Sequence, residues 1–248
     1  MLALVVVLGL AIGSFLNVVI ARVPERKSLW HPRSSCPRCA TPIAWHDNVP
    51  LLSFALLRGR CRACGEPIPW RYPIVEASTA LLFAVAFHVL GPTLDFAAAA
   101  VLLAMLVAIT AIDLRHQIIP DVISLPGIAV GIVACLVTGR VTWLESLLGI
   151  LVGGGIFLLI ILASPQGMGV GDLKLGAMLG AFLGWKLAVV AIMLSVLSGG
   201  AVAVALLLLG RKGRKEAIPF GPYLALGGAV SILWGPELLG WYLSRFVT

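Results

Sequence analysis

Residues 96–112 read FAAAAVLLAMLVAITAI, an uninterrupted apolar run that ends at Asp113. An α-helix needs roughly 17–25 apolar residues to cross the hydrocarbon core of a bilayer, and this run is long enough. Similar runs recur on both sides of it. They occupy residues 1–20, 73–90, 122–138, 143–163, 173–185, 187–209 and 217–234. The pattern predicts about eight transmembrane helices, of which only 173–185 is short and either re-entrant or shielded by protein.

The composition agrees with a protein whose solvent is largely lipid. Hydrophobic residues make up 60% of the 248 residues and charged residues 12%, whereas soluble domains carry about 25% charged residues. The mean hydropathy is +1.05. The first run has no basic residues before it and no evident cleavage site, so we expect it to remain as the first transmembrane helix. The predicted fold class is therefore an all-α polytopic membrane protein.

The basic residues predict the orientation of these helices. If the N-terminus lies outside and all eight runs cross, only Arg140, Lys186 and Arg245 fall on the outer side, and fifteen of the 18 Lys and Arg residues fall inside. Loops that face the cytoplasm carry such an excess. The net charge of +7 is then explained by topology and by anionic lipid headgroups, and nucleic-acid binding is not needed to explain it.

One long polar loop, residues 21–72, separates the first helix (1–20) from the remaining bundle (73–248). It contains two C-x2-C pairs with 21 residues between them. Their cysteines are Cys36, Cys39, Cys61 and Cys64. Four thiolates at this spacing are typical of a tetrahedral Zn²⁺ site, and because a closed four-sulfur site leaves no position for water, the zinc is predicted to be structural. Two disulfides are the alternative, which fits poorly with a loop in the reducing cytoplasm.

Three aspartates are predicted at the cytoplasmic rim of the bundle. Asp113 ends the quoted run, Asp121 starts the next one, and Asp172 ends the tetrapeptide GVGD. A charge at the bilayer centre costs roughly 2.5–3.5 kcal/mol on insertion scales, so such carboxylates often serve a function. Each also has an ordinary interpretation: Asp121 and Asp172 as helix N-caps, and Asp113 as a rim charge paired with Arg115 or His116.

Two carboxylates brought together from different helices would provide a specific chemistry. At low dielectric they cannot both ionise cheaply, so they share a proton. One can then accept a proton from a water molecule while the other donates to a peptide carbonyl, which hydrolyses the peptide without a metal or a covalent intermediate. The glycines Gly169 and Gly171 would let a substrate backbone approach Asp172 closely.

Ordered motifs along nearly the whole chain resemble those of the bifunctional prepilin peptidases, also called type IV leader peptidases. Besides the two C-x2-C pairs, the matching stretches are GSFLNVVIARVP at 13–24, DNVP at 47–50, GRC at 59–61, RYPIVE at 71–76, IPD at 119–121, and GVGD at 169–172 followed by Lys174. The glycine-rich loop of an ordinary Rossmann methyltransferase is absent from the sequence. The methyl transfer described next is therefore expected from the resemblance alone.

The resemblance implies an intramembrane aspartyl protease that cuts the basic leader from type IV prepilins and type II secretion pseudopilins. Cleavage is expected at the cytoplasmic face of the bacterial inner membrane. The family's catalytic aspartates map onto Asp113 and Asp172. The positions in supporting roles are Asp121, Gly169, Gly171 and Lys174.

The resemblance also implies methylation of the new N-terminal residue with S-adenosylmethionine, and it links this activity to the zinc-binding loop at 21–72. The candidate residues near the methyl donor are Gly13, Asn17, Asp47 and Glu76. For Glu76, an ion pair with Arg71 or Arg22 at the membrane rim is an equal alternative.

Two other classes of function compete with this interpretation. A zinc metallopeptidase of the membrane requires an open metal site and usually an HExxH motif, which the sequence lacks. A non-enzymatic scaffold or a proton-coupled transporter with a cytoplasmic zinc ribbon would also place carboxylates within a helical bundle. The absence of an inverted repeat in the sequence counts mildly against a transporter.

Overall fold

The long regular elements in the described part of the chain are all helices. The structure, a computed structural model, describes residues 1–31, 33–164, 168–210 and 219–246. Its helices are α1 (Leu2–Arg22), α2 (Leu52–Leu56), α3 (Arg71–Leu90), α4 (Leu94–His116), α5 (Asp121–Thr138), α6 (Trp143–Ala163), α7 (Val170–Leu208) and α8 (Gly221–Phe246). Within these residues a short 3₁₀ turn covers Trp45–Asn48, and the only extended pairing is two isolated β-bridges.

Seven of the described helices, all except α2, are long and apolar enough to cross a membrane. The run quoted from the sequence forms most of α4. This helix begins at a side-chain cap, where the Thr93 hydroxyl accepts a hydrogen bond from the Phe96 amide at 3.2 Å. The predicted fold class, an all-α polytopic membrane protein, is confirmed.

The longest helix, α7, folds back on itself at Gly184. This glycine has φ +71° and ψ 170°, outside the helical region. On either side of it, Leu179 lies against Gly228 of α8 and Ala191 lies against the adjacent Gly227. A straight helix would separate residues twelve positions apart by about 18 Å. The chain must therefore turn back at Gly184 for both residues to reach neighbouring positions on α8.

The fold-back divides α7 into two arms that correspond to the expected segments 173–185 and 187–209. The structure thus contains eight apolar helical segments in its described part, as the sequence predicts. The first arm, residues 170–183, is about 21 Å long, whereas the hydrocarbon core is about 30 Å thick. The expectation that this segment is short is confirmed.

The chain forms two compact units, Met1–Pro92 and Thr93–Thr248, which we call the N-terminal and the C-terminal unit. In the N-terminal unit α1 packs against α3. A Cβ on Gly13 would lie 2.7 Å from Cα of Glu76, so the two helices need a glycine there. In the C-terminal unit α7 lies against α5, α6 and α8, and α4 packs on α5 and α8.

Glycines let α6 and the first arm of α7 touch backbone to backbone. A Cβ on Gly149 would overlap the carbonyl of Gly180, and a Cβ on Gly153 would overlap the carbonyl of Gly176. Close approach of this kind gives transmembrane helices van der Waals contact that lipid cannot replace. Gly155 differs, because its Cβ position has no described heavy atom within 4 Å.

The last helix differs from the sequence expectation at both ends. The expected run was 217–234, but residues 217 and 218 lie outside the described residues, and α8 continues to Phe246 through Pro236. A proline inside a helix removes one backbone hydrogen bond, and membrane helices tolerate this loss when neighbouring groups satisfy the free carbonyl. From the sequence, Pro236 and Glu237 suggest that the helix has ended before them, but both lie inside α8.

Candidate active site

Asp113 lies in the last turn of α4 and is buried, with 5% of its surface exposed. The Gly221 amide, at the first residue of α8, donates a hydrogen bond to its Oδ2 at 3.0 Å. A Cβ on Gly221 would lie 2.6 Å from the same oxygen. The rim-charge interpretation is therefore wrong in one respect: Asp113 is buried and contacts a backbone amide, whereas Arg115 and His116 are exposed.

Asp172 is the third residue of α7 and is half-buried. Its Oδ2 accepts a hydrogen bond from the Gly169 amide at 3.2 Å, and its own amide donates to the Gly169 carbonyl at 3.1 Å. This contact is a capping contact made from inside the helix, so the N-cap interpretation is met in part. It also fixes the carboxyl group at the helix start.

Asp113 and Asp172 belong to helix ends that pack together, because Ile119, six residues after Asp113, lies against Gly171, the residue before Asp172. They come from α4 and α7, which are 59 positions apart at these residues. Two carboxyl groups that met in a bundle of apolar helices would disfavour double ionisation, and this part of the sequence-based hypothesis stays a prediction.

The two glycines of the GVGD stretch have different surroundings. The missing side chain of Gly171 makes room for Ile119, whose Cβ would lie 2.9 Å from a Cβ at this position. Gly171 therefore allows the connection between α4 and α5 to pack against the start of α7. At Gly169 a Cβ would meet only atoms of the same turn, the nearest being Asp172 Oδ2 at 3.5 Å.

Asp121 and Lys174 form an ion pair that joins the starts of α5 and α7. The Lys174 Nζ lies 2.6 Å from the Asp121 Oδ1. Asp121 is the first residue of α5 and makes no side-chain cap, because the N-cap residue is Pro120. The pair thus links two elements near Asp172, and the N-cap interpretation of Asp121 is not met.

The four loop cysteines converge. Their Sγ atoms all lie within 4.8 Å of one another, and Cys36 Sγ is 3.9 Å from Cys64 Sγ. A Zn²⁺ ion at about 2.3 Å from four sulfurs places them roughly 3.8 Å apart. The donor set therefore fits zinc with a small contraction. The five cysteines of the chain form no disulfide.

The two C-x2-C pairs belong to a repeated ten-residue unit, 34–43 and 59–68, which we call the cysteine knuckles. Each knuckle has the same hydrogen bonds at equivalent positions, Ile43 to Ser34 at 2.8 Å and Ile68 to Gly59 at 2.7 Å. The residue after each second cysteine has positive φ, 58° in one knuckle and 73° in the other. In the sequence, the only residues that the two stretches share besides the cysteines are the closing Pro-Ile, so the repeat becomes evident only in the structure.

The surroundings of the knuckle cysteines act on their thiols in different directions. Hydrogen bonds from the Thr41 hydroxyl and amide lower the pKa of Cys39 to about 6. The amides of Cys64 and Ala63 lower the pKa of Cys61. At Cys64 the Glu66 amide acts to lower the pKa, but burial and the three neighbouring thiols outweigh it and raise the pKa to about 12. Thiolates rather than thiols ligate zinc, so an ion that bound here would have to displace the proton of Cys64.

Three of the four candidate residues for the methyl donor line one cavity of the N-terminal unit. The cavity has a volume of about 1030 Å³, and Asn17, Asp47 and Glu76 are on its wall. Gly13 does not line it, but packs against the backbone of Glu76. Asp47 accepts two hydrogen bonds from Arg62, at 2.6 and 2.8 Å, and this contact lowers the pKa of the Asp47 carboxyl.

Glu76 is buried and accepts a hydrogen bond from the Leu51 amide at 2.9 Å. Leu51 has φ +58°, a conformation that L-residues rarely adopt, so this contact holds the loop in a specific shape. In the described residues Glu76 forms no ion pair with Arg71 or Arg22, which excludes the rim-pair alternative there. Asn17 donates to the Tyr72 carbonyl at 3.1 Å.

Comparison with known proteins places this geometry in a family. Residues 7–90 match the bacterial peptidase A24 N-terminal domain, and residues 100–204 match the type IV leader peptidase family. A prepilin leader peptidase/N-methyltransferase of Aeromonas salmonicida (strain A449) is 40% identical over 275 residues, which cover 99% of this chain and 94% of that protein. The chain belongs to the type IV leader peptidase family.

Further members of the type IV leader peptidase family show similar likeness. A protein of Pseudomonas aeruginosa is 38% identical over 268 residues, covering 96% of this chain and 92% of that protein. A protein of Myxococcus xanthus (strain DK1622) is 43% identical over 213 residues, which cover 84% of this chain and 64% of that protein. Both are named prepilin leader peptidase/N-methyltransferase. No solved structure matches the chain significantly.

Sequence reasoning missed two residues of this member of the type IV leader peptidase family. Gly221, which contacts Asp113, lies beyond the matched residues 100–204. A signal was available in Pro219-Phe220-Gly221-Pro222, since proline is favoured in the first turn of a helix. Arg71 was considered only as a partner of Glu76, but the structure places it on the wall of the N-terminal cavity.

Proposed function

We propose that the chain removes the basic leader of type IV prepilins and type II secretion pseudopilins and then N-methylates the new N-terminal residue. The observation that supports the proposal is the packing of Ile119 on Gly171, which brings together the helix ends that carry Asp113 and Asp172, in a chain whose relatives are named for both activities. Asp121, Gly169, Gly171 and Lys174 support the site by positioning the start of α7.

In the proposed cleavage, a water oxygen attacks the carbonyl carbon of the scissile peptide while one of the two carboxylates takes the water proton. The other carboxyl group, protonated, donates to the carbonyl oxygen. The C–N bond of the tetrahedral species then breaks, and the leaving amine takes up a proton from the pair. Gly221 orients Asp113, and Gly169 orients Asp172, so that neither carboxyl group has to reorganise during the reaction.

The test of the peptidase is reconstitution of the full chain in lipid nanodiscs with a model prepilin. We expect Asp113→Asn and Asp172→Asn each to abolish cleavage while thermal stability is kept. Asp95→Asn is the matched control, because Asp95 lies on α4 as well, about 27 Å from Asp113 along the helix. Cleavage at the full rate in either of the first two variants would exclude the aspartyl mechanism.

For the second activity we propose that the methyl donor, S-adenosylmethionine, binds close to the zinc-binding loop. The donor supplies a methyl group carried on a sulfonium. Asn17, Asp47 and Glu76 would face it, and Gly13 would keep α1 close to Glu76. Mass spectrometry of the cleaved product tests this activity: one added methyl group is expected with the donor present. A product without the added methyl group would mean that the chain is a peptidase without methyltransferase activity.

The proposed cofactor of the loop is structural Zn²⁺, held by Cys36, Cys39, Cys61 and Cys64. It would join the two cysteine knuckles, which contain little apolar surface of their own. In this proposal, zinc organises residues 21–72 for methyl transfer, and the bundle at 73–248 performs peptide hydrolysis. With four sulfur ligands the zinc would have no open coordination position and would take no part in hydrolysis.

We infer that the protein resides in the bacterial inner membrane with the N-terminus outside and the catalytic carboxyl groups facing the cytoplasm. The uneven distribution of Lys and Arg supports this orientation. Prepilins and pseudopilins carry a basic leader before an apolar helix, so they can lie in lipid while the leader reaches the site. Family membership does not favour the alternatives of a scaffold or a proton-coupled transporter. Nucleic acid has no part in this proposal.

A further inference from the structure

Arg71, the first residue of α3, lines the N-terminal cavity and has a buried donor without a partner among the described residues. Its Nη2 donates a hydrogen bond to the Tyr72 hydroxyl at 3.0 Å. Its Nη1 is inaccessible to solvent and has no hydrogen-bond partner among the described residues. A buried donor without a partner costs about 1–3 kcal/mol, and a ligand that bonds to it would recover that cost.

The guanidinium group is held in place from two sides. It lies over the Tyr72 ring, with Cζ 4.8 Å from the ring centroid. Tyr72 is fixed in turn by Asn17 of α1, whose Nδ2 donates to the Tyr72 carbonyl at 3.1 Å. A planar guanidinium fixed in this way matches the shape of a planar anion such as a carboxylate.

The other cations on the cavity wall are occupied or exposed. Arg22 donates to a backbone carbonyl, and Arg62 and Lys27 each pair with a carboxylate. Arg33 and Arg38 are exposed to solvent. Among the described cations that line the cavity, Arg71 is therefore the one with a buried donor that has no hydrogen-bond partner.

We propose that Arg71 binds the carboxylate of the amino-acid part of the methyl donor in this cavity. The proposal rests on the methyltransferase activity proposed above and specifies its donor site. A volume of about 1030 Å³ is at the upper end of small-molecule pockets, which range from about 300 to 1,000 Å³. S-adenosylmethionine carries a carboxylate together with positive charges, and the wall offers Glu76 as well as Arg71.

The test measures binding, not turnover, and uses two nucleosides that differ in the proposed contact. S-adenosylhomocysteine retains the amino-acid part, and 5′-methylthioadenosine lacks it. Their affinities for the full chain in nanodiscs are measured by calorimetry. Arg71→Gln should weaken S-adenosylhomocysteine about tenfold or more, since hydrogen bonds to charged groups contribute about 1.5–3 kcal/mol. The affinity of 5′-methylthioadenosine should stay unchanged.

Arg71→Lys is the second variant, and it should recover part of the lost affinity because it keeps the charge and loses the planar fork. Arg58→Gln is the matched control, because Arg58 is exposed and does not line the cavity. It should leave both affinities unchanged. Arg71→Gln with full S-adenosylhomocysteine affinity overturns the proposal, and so does an equal loss for both nucleosides, which would indicate a structural role.

The same titrations distinguish a failure of the Arg71 contact from a failure of the proposed methyltransferase activity. If the unmodified chain binds S-adenosylhomocysteine and Arg71→Gln changes nothing, the Arg71 contact is wrong and the methyltransferase remains supported. If the unmodified chain binds neither nucleoside and adds no methyl group to a cleaved product, the methyltransferase and the Arg71 contact are both wrong.

Discussion

The backbone amide of Gly221 donates a hydrogen bond to Asp113 Oδ2 at 3.0 Å, across 108 positions of sequence. The contact joins the end of α4 to the first residue of α8 and leaves no room for a side chain on the donor residue. One of the two carboxyl groups proposed for catalysis thus owes its orientation to a helix that contributes no acidic residue to the site.

Gly221→Ala should lower prepilin cleavage by about 10- to 100-fold, because the new Cβ would displace the Asp113 carboxyl group and misplacement by about 1 Å can cost 100-fold. Initial rates in nanodiscs measure the effect. The matched control is Gly240→Ala on the same helix, where no described heavy atom lies within 4 Å of the Cβ position. Equal rates for both variants would contradict a positioning role for Gly221.

The ion pair between Lys174 and Asp121 should act through the position of the α7 start. Lys174→Met and Asp121→Asn should each lower cleavage about tenfold. The double variant should be no slower than the slower single variant, because both remove the same contact. Lys186→Met serves as the control, since its partner Glu145 lies at a looser 3.7 Å, near the fold-back of α7. Fully multiplicative single effects would show that the two residues act independently.

Backbone contact between α6 and α7 should make Gly153 intolerant of a methyl group. Gly153→Ala should destabilise the C-terminal unit by about 1–3 kcal/mol through overpacking against the Gly176 carbonyl. Gly155→Ala, two residues away on the same helix, should cost little because its Cβ enters open space. Reversible unfolding in mixed micelles compares the two. A smaller loss for Gly153→Ala than for Gly155→Ala would argue against this packing.

Zinc content should depend on each of the four loop cysteines. Cys39→Ser is expected to lower bound zinc from about one ion per chain to almost none, because a structural site needs all four ligands. Cys135→Ser should keep its zinc, since Cys135 lies in α5 and its Sγ contacts the Val141 carbonyl at 2.9 Å. Elemental analysis of the purified proteins decides. Retention of a full ion by Cys39→Ser would exclude the four-sulfur site.

The sequence predicts the helices well because lipid requires long apolar runs, and these are visible without any contact information. It also predicts that the chain reverses between the runs 173–185 and 187–209, but not that a single residue, Gly184, makes the turn without a loop. It also misses the extension of α8 beyond residue 234, since Pro236 interrupts the apolar pattern without interrupting the helix. The length and hydropathy of a segment depend on the lipid around it, whereas bends and helix ends depend on the helices that pack against it.

The chemistry of the site was predictable where charge is costly and invisible where the backbone supplies the contact. Asp113 and Asp172 stand out as carboxylates next to apolar runs. The Gly221 amide and the Leu51 amide carry no such signal, because every residue has an amide and only the fold decides what it meets. The Lys174 pairing needs both helix starts to be placed in space before it can be identified.

The repeated cysteine knuckles have an evolutionary consequence. Each knuckle offers two sulfurs, and the proposed tetrahedral zinc site requires four. One knuckle alone would therefore not hold the ion, and its own shape would no longer serve metal binding. Selection for zinc binding would therefore act on the cysteines of both knuckles together. Lineages that lose the cysteines of one half should lose those of the other soon after, and a chain with only two of the four should be a short-lived intermediate.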